Sequence, residues 1–293
     1  MCGLSEVGLG LVLMQGIAPN TVMLTNVKKV ILTARTKYQE VQIAEFQDFG
    51  RGLVLDGYIQ STEADEHIYH ESLVQPAMTT HTNPRKALII GGGEGATLRE
   101  TLKHSTVEEA VMVDIDGELV DFAKKYLDFM HKGAFDDPRS KVVIEDGLKY
   151  VEEAPKRYFD VVINDLTDPY GPEVGRKLYS TDYYVKVKEA MSDDGILVTQ
   201  AGNSFFFPTT YRDAVNSLKS VFSIVREYWV WIPSFGYACN YLIASDVHDP
   251  LELSAEQVDE ILRLRGVVNK YYDGLQHVAM MRSKVIVGRD FTR

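Results

Sequence analysis

A glycine run, Gly91-Gly-Gly-Glu-Gly95, follows directly on the apolar stretch Ala87-Leu-Ile-Ile90. An apolar run of this kind is a buried strand. Glycines after a strand let the backbone turn tightly into a helix and come close to a ligand. Where strands and helices alternate after such a junction, the pattern argues for a doubly wound, mostly parallel sheet. The rest of the chain from Lys86 fits it. Glu109 to Asp114, Lys141 to Glu145, Phe159 to Asn164, Gly195 to Gln200, Val225 to Ile232 and Asn240 to Ala244 read as strands. Leu119, Phe122, Ala123, Tyr126 and Met130 recur at helical spacing, and Thr181 to Met191 and Thr209 to Val221 supply further helices. Ser254 with Gln257 predicts a capping box for a late helix.

Before this region the pattern is different. Val27 to Thr36, Tyr38 to Phe46 and Gly52 to Gln60 are β-rich, with Asp56-Gly57 as a turn between short apolar runs. Glu66 to Met78 reads as a helix, and Pro84 marks a boundary. The expected fold class is α/β: a Rossmann-like, methyltransferase-type doubly wound sheet with a small N-terminal β-domain. The expected division is an N-terminal arm and β-rich domain over 1–82, then a catalytic domain with a C-terminal helical tail over 83–293. Met1 to Asn20 carries no Lys or Arg and is interrupted by glycines and Glu6, so it is expected to be neither signal peptide nor membrane span. It reads as an arm used in oligomer contacts.

In such sheets ligands bind beyond the carboxyl ends of the strands, and acids sit at these ends. Asp114 ends the second strand, about 20 residues beyond the glycines, where a carboxylate accepts from ribose hydroxyls. Asp146-Gly147 follows the third strand, where an acceptor can read an adenine amino group. Glu94 would repel a pyrophosphate, which argues against a dinucleotide; it suits a ligand that is cationic near the loop. Phe159-Asp-Val-Val-Ile-Asn-Asp165 delivers Asp165 to the end of a central strand, with Asp168 three residues later. A methyltransferase acting on nucleic-acid amino groups would show Asp/Asn-Pro-Pro-aromatic here; this chain has Asp168-Pro169-Tyr170. The net charge of -11 speaks against a nucleic-acid partner and for cationic ligands. Two cysteines, Cys2 and Cys239, make no disulfide framework and no metal motif, so a cytoplasmic setting and no metal are expected.

Taken in order, Tyr38-Gln39, Leu55-Asp-Gly57 with Gln60, Asp65-Glu-His-Ile-Tyr-His-Glu71, the glycine loop, Asp114-Ile-Asp116, Asp146-Gly147 and Asp165-Leu-Thr-Asp-Pro169 resemble the polyamine aminopropyltransferases. The match runs from about Lys37 to Ser245. The resemblance implies transfer of the aminopropyl group of decarboxylated S-adenosylmethionine, as cosubstrate, to a small cationic polyamine. No tightly bound cofactor is implied, and the enzyme would be a homodimer or homotetramer. It implies that Gln39, Asp114, Asp146, Gly147 and Pro172 hold the adenosine part, and that Glu94 and Asp165 hold the aminopropyl amine. Gln60, Tyr69, His70, Glu94, Asp165, Asp168 and Phe235 would meet the acceptor. Asp165, with Tyr69, would be catalytic as proton acceptor. Glu63, Asp65, Glu66 and Glu71 read as a solvated helix face.

Two features bear on the acceptor. Glu94 stands where spermidine synthases usually have Asp, and Phe235 stands where they usually have a Tyr that contacts putrescine. With Asp165-Leu-Thr-Asp168 and Val198-Thr-Gln-Ala-Gly202, the chain is similar to thermospermine synthases, which implies spermidine as acceptor. The alternatives are a spermidine synthase using putrescine or agmatine, a methyltransferase using ordinary S-adenosylmethionine, and a non-catalytic polyamine-binding protein.

Overall fold

The computed structural model describes residues 10–171 and 173–289. Five antiparallel strands come first: β1 (Leu11–Ala18), β2 (Thr21–Arg35), β3 (Glu40–Phe46), β4 (Gly50–Leu55) and β5 (Tyr58–Thr62), paired in sequence order. Residues 1–9 of the expected N-terminal arm lie outside the described residues, and most of the remainder is strand β1. Leu11 to Ala18 hairpins onto β2, and its mixture of Gly, Gln and apolar residues hid the alternation. The turn expected at Asp56-Gly57 is present, with both residues at positive φ.

Helix α1 (Glu66–Thr80) then leads to a second, seven-stranded sheet. Its strands are β6 (Lys86–Gly91), β7 (Glu109–Asp114), β8 (Ser140–Ile144), β9 (Phe159–Asp165), β10 (Met191–Gln200), β11 (Ile224–Ile232) and β12 (Tyr237–Ser245). Helices α2 (Ala96–Leu102), α3 (Gly117–Tyr126), α4 (Asp128–His131), α5 (Gly147–Glu153), α6 (Glu173–Arg176), α7 (Thr181–Ala190), α8 (Pro208–Lys219), α9 (Ala255–Leu264) and α10 (Gly274–Arg282) connect or follow them. The order across the sheet is β11-β12-β10-β9-β6-β7-β8. Strands β10, β9, β6, β7 and β8 are parallel, and β12 pairs antiparallel with β10 and β11. The expected doubly wound, mostly parallel sheet is thus present. Its central strands are buried on both faces, as a parallel sheet requires.

Strand order reverses between β6 and β9, the topological switch point where such sheets bind ligands. Gly91 is registered directly against Asp165 there. The amide of Gly92 donates to the Asp165 carbonyl at 3.1 Å. At Gly91, φ is +85° and an added Cβ would lie 2.1 Å from that carbonyl oxygen. No other residue fits, so the glycine loop and the end of β9 fix each other.

Helix α1 is buried along nearly its whole length, packed on β9, β10 and β11 as well as on α2 and α9. The division expected at 82/83 falls after this helix. Pro76 interrupts its ladder, since proline donates no hydrogen bond to the carbonyl four residues back. That carbonyl, of Ser72, instead accepts from the Tyr228 hydroxyl of β11 at 2.8 Å. The acids expected to form a solvated face mostly do not. Asp65, Glu66 and Glu71 are buried; only Glu63 is exposed. Glu71, 1% exposed, accepts from the backbone amides of Lys270, Tyr271 and Tyr272. Asp65 accepts from the Ser234 amide at 2.7 Å and from the hydroxyls of Thr62 and Ser234. Each buried carboxylate has the donors that burial demands, and each anchors a distant segment to α1.

Candidate active site

Three segments meet at the switch point: the glycine loop, the end of β9 and the first two turns of α1. Asp165 lies at their junction. Its Oδ1 accepts from the Tyr69 hydroxyl at 2.9 Å, and its Oδ2 from the Thr97 hydroxyl at 2.5 Å. Desolvation first, then the negative charge of Glu94, push the Asp165 carboxyl up to about 6; the His70 cation and the two hydroxyls pull the other way. At neutral pH Asp165 is a carboxylate with an unusually high proton affinity. Burial and the Asp165 charge push the Tyr69 phenol well above its ordinary value, so Tyr69 is a neutral donor.

His70 is fully buried. Its Nδ1 meets the Glu66 carbonyl at 2.7 Å and the Glu66 carboxylate at 3.1 Å, and its Nε2 meets Glu94 Oε1 at 3.0 Å. Burial opposes the charge, yet the two carboxylates win and raise the imidazole to about 10. Glu66 is held at about 2 against desolvation, by His70 and by Arg99, whose Nη2 donates to Glu66 at 2.7 Å. His70 is therefore an imidazolium. Both of its nitrogens are occupied, so in this arrangement it supports Glu94 instead of offering a lone pair to an amine.

Asp168 lies a turn further on. Burial pushes its carboxyl up, against hydrogen bonds from Tyr170, Gln200 and Tyr237. Phe235 packs in tilted geometry on both Tyr69 and Tyr237, with centroids 5.8 and 5.6 Å apart. Tyr237 carries no motif in the sequence that marks it as a site residue. The phenol absent at Phe235 reappears two residues on and reaches Asp168. Thr97 and Arg99 carry none either. The only signal for Thr97 was its position in the first turn of the helix that the glycine loop opens.

On the far side of the loop, Asp114 is buried against Gly93, where an added Cβ would sit 2.8 Å from the carboxylate. Burial raises its carboxyl to about 7, with Asp116 and Glu94 adding to the effect and the backbone amide of Asp116, at 2.8 Å, opposing it. Gln39 reaches this region from the first sheet, but its amide donates to Asp116 at 2.9 Å. Thr36 donates to the same carboxylate at 2.7 Å, so this contact sutures the two sheets. Asp146 caps α5 by accepting from the Leu148 amide, and Gly147 abuts Ile90, where a Cβ would meet Cγ2 at 2.5 Å. Gln60 bonds the backbone carbonyl of Tyr58 at 3.2 Å. Pro172 lies outside the described residues.

Glu94, Asp165 and Asp168 gather as acids at the switch point, with the His70 cation against Glu94. This arrangement can bind an amine-bearing cation and accept a proton from it. Residues 66–251 match the family model described as "Spermine/spermidine synthase domain", and residues 12–63 match "Spermidine synthase tetramerisation domain". The chain is 54% identical over 285 residues to a polyamine aminopropyltransferase of Pyrobaculum aerophilum, covering 97% of this chain and 98% of that one. It is also 54% identical over 257 residues to polyamine aminopropyltransferase 1 of Hyperthermus butylicus, covering 87% and 88%. Among solved structures it is similar to a spermidine synthase in complex with the transition-state analogue AdoDATO, with TM-score 0.88, 34% identity and coverage of 94% and 92%. The spermidine synthase of Thermotoga maritima matches with TM-score 0.85, 33% identity and coverage of 94% and 91%.

Proposed function

Because the chain belongs to the spermine/spermidine synthase family, we propose that it is a polyamine aminopropyltransferase. It moves the aminopropyl group of decarboxylated S-adenosylmethionine to a polyamine amine and releases methylthioadenosine. The observation that carries this reading is the convergence of Asp165, Glu94 and Tyr69, with Asp165 raised to about 6 beside a neutral phenol. The sulfonium leaves as a neutral thioether, so the step needs no metal or covalent enzyme intermediate. It needs an amine aligned in line with the carbon and stripped of its proton. Alkyl amines hold that proton to about pH 10, and neighbouring carboxylates strengthen the hold. The acids therefore divide the work. Asp168, held by Tyr170, Gln200 and Tyr237, binds a distal ammonium. Glu94, steadied by His70, binds the aminopropyl ammonium. Asp165 takes the proton from the attacking nitrogen. Asp114 and the Asp146-Gly147 turn serve the adenosine side, which Gln39 supports through Asp116. The same acids disfavour ordinary S-adenosylmethionine, whose extra carboxylate would face Glu94.

Spermidine is the favoured acceptor and thermospermine the product, on the strength of Glu94 and Phe235. A second reading, putrescine as acceptor, is favoured by Tyr237, which restores a phenol beside Asp168. Purified protein with decarboxylated S-adenosylmethionine and, separately, putrescine, agmatine, spermidine and norspermidine separates the two. Thermospermine as the dominant product supports the first; a strong putrescine preference overturns it in favour of the second. The family's tetramerisation segment supports a homo-oligomer.

A further inference from the structure

We propose that His81, Asp194 and His248 form a binding site for one divalent transition-metal ion of the zinc class, at the end of the sheet opposite the active site. His81 follows the last residue of α1, Asp194 lies near the start of β10, and His248 lies just after β12. Asp165 sits at the other end of these strands, since Asn164 pairs with Thr199. About five residues of strand separate that level from Asp194, on the order of 15 Å.

The geometry is that of a ligand set awaiting an ion. Nε2 of His81 and Nε2 of His248 each lie 3.7 Å from the same atom, Asp194 Oδ2. The three donor atoms fall within 4.8 Å of one another. Tetrahedral zinc, with bonds of about 2.0–2.2 Å, sets ligand atoms ~3.3–3.5 Å apart, so small side-chain rotations close the site. At 3.7 Å neither contact is a hydrogen bond. Both Nε2 atoms are buried with no hydrogen-bond partner among the described residues, and His81 is 3% exposed. Buried polar atoms are rarely left so. The other oxygen of Asp194 accepts from the Ser192 hydroxyl at 3.1 Å, which orients the carboxylate as an outer-shell partner does in metal sites. Two imidazoles and a carboxylate suit Zn²⁺ and Co²⁺ better than Mg²⁺ or Ca²⁺.

The other charged groups facing His81 are Asp160 and Arg265. Arg265 donates to the His81 and Thr82 carbonyls, and Asp160 accepts from the amides of Arg85 and Lys86. Burial, the largest influence, pushes the His81 imidazole below its ordinary value, so the ring is neutral, the form that ligates. One contact must yield. The Asn83 amide donates to His81 Nδ1 at 3.2 Å, and ligation through Nε2 puts the proton on Nδ1. That exchanges a long neutral hydrogen bond at a turn for metal bonds. The ion would clamp the C-terminal end of α1, the helix that carries Tyr69 and His70, to the loop after β12.

The test uses purified full-length protein stripped of metal with a chelator, then titrated with Co²⁺ and back-titrated with Zn²⁺. The expected result is one equivalent of Co²⁺ with a visible absorption band, displaced by Zn²⁺, and a higher thermal midpoint when metal is present. His248→Ala and Asp194→Ala, at the edge of the fold, each lose the band and the thermal shift. Asp165→Asn keeps both, which separates this site from the His70, Glu94 and Asp165 group. No stoichiometric binding overturns the proposal. So does binding that survives His248→Ala or disappears with Asp165→Asn.

Discussion

The proton-accepting role proposed for Asp165 calls for more than an ordinary surface acid, and Asp165 is not one. Its carboxyl stands at about 6 because desolvation and Glu94 outweigh His70 and two hydroxyl donors. Asp165→Asn keeps the shape and removes the acceptor. The expected loss in kcat is about 10²- to 10⁴-fold, measured as methylthioadenosine release at saturating cosubstrate. In the parent enzyme kcat/KM falls as pH falls through about 6, where Asp165 takes up a proton. His70 gives a separate test through stability. Its folded-state value of about 10 lies above the ordinary 6.5. Its contribution is fully present below pH 6.5 and is lost as pH rises toward 10. Denaturation midpoints of the parent protein should fall across that range, and those of His70→Asn should fall less steeply. Equal slopes would contradict the assignment of an imidazolium. From the sequence His70 could only be placed near the amine. Its locked state depends on Glu66, which looked like one of several surface acids until α1 proved buried.

Elements explain which parts of the site could be read in advance. Strands β6, β7 and β9 are buried on both faces, so they appear as unbroken apolar runs, and the acids that end them stand out. Asp114, Asp165 and the glycine loop were legible for this reason. Helix α1 was legible as a helix but not in its surroundings, because burial on every side erases the amphipathic pattern. Strand β1 was missed because its burial pattern does not alternate cleanly. Tyr237 opens β12, and nothing local in the sequence ties it to Asp168. The bond from Tyr228 to the Ser72 carbonyl is a consequence of Pro76 that only packing reveals. Tyr228→Phe leaves that carbonyl buried and unpaired, for an expected cost of about 1–3 kcal/mol. Equilibrium denaturation checks it; an unchanged midpoint would mean that the carbonyl finds another donor.

The whole molecule carries a net charge of -11 and an apolar ribbon at its N-terminal end. A negative charge of this size enriches cations near the protein. The ribbon lies on β1 and β2, where Met14 is registered against Leu24 and both are about two-thirds exposed, at 67% and 65%. Leu11 and Val22 extend it. An apolar patch of this kind marks an interface, and Met14, Val22 and Leu24 fall within the segment that matches the tetramerisation model. Met14→Lys with Leu24→Glu is expected to give a smaller species by light scattering coupled to size exclusion, with the fold unchanged by circular dichroism. An unchanged mass would remove this ribbon from the interface.

The proposed aminopropyl transfer at Asp165 can be followed through its nucleoside products, with purified protein given a polyamine and either decarboxylated or ordinary S-adenosylmethionine. The expected product is methylthioadenosine, dependent on the amine and on the decarboxylated form, and nearly absent in Asp165→Asn. S-adenosylhomocysteine from the ordinary form, or no methylthioadenosine with any amine, would contradict the proposed transfer.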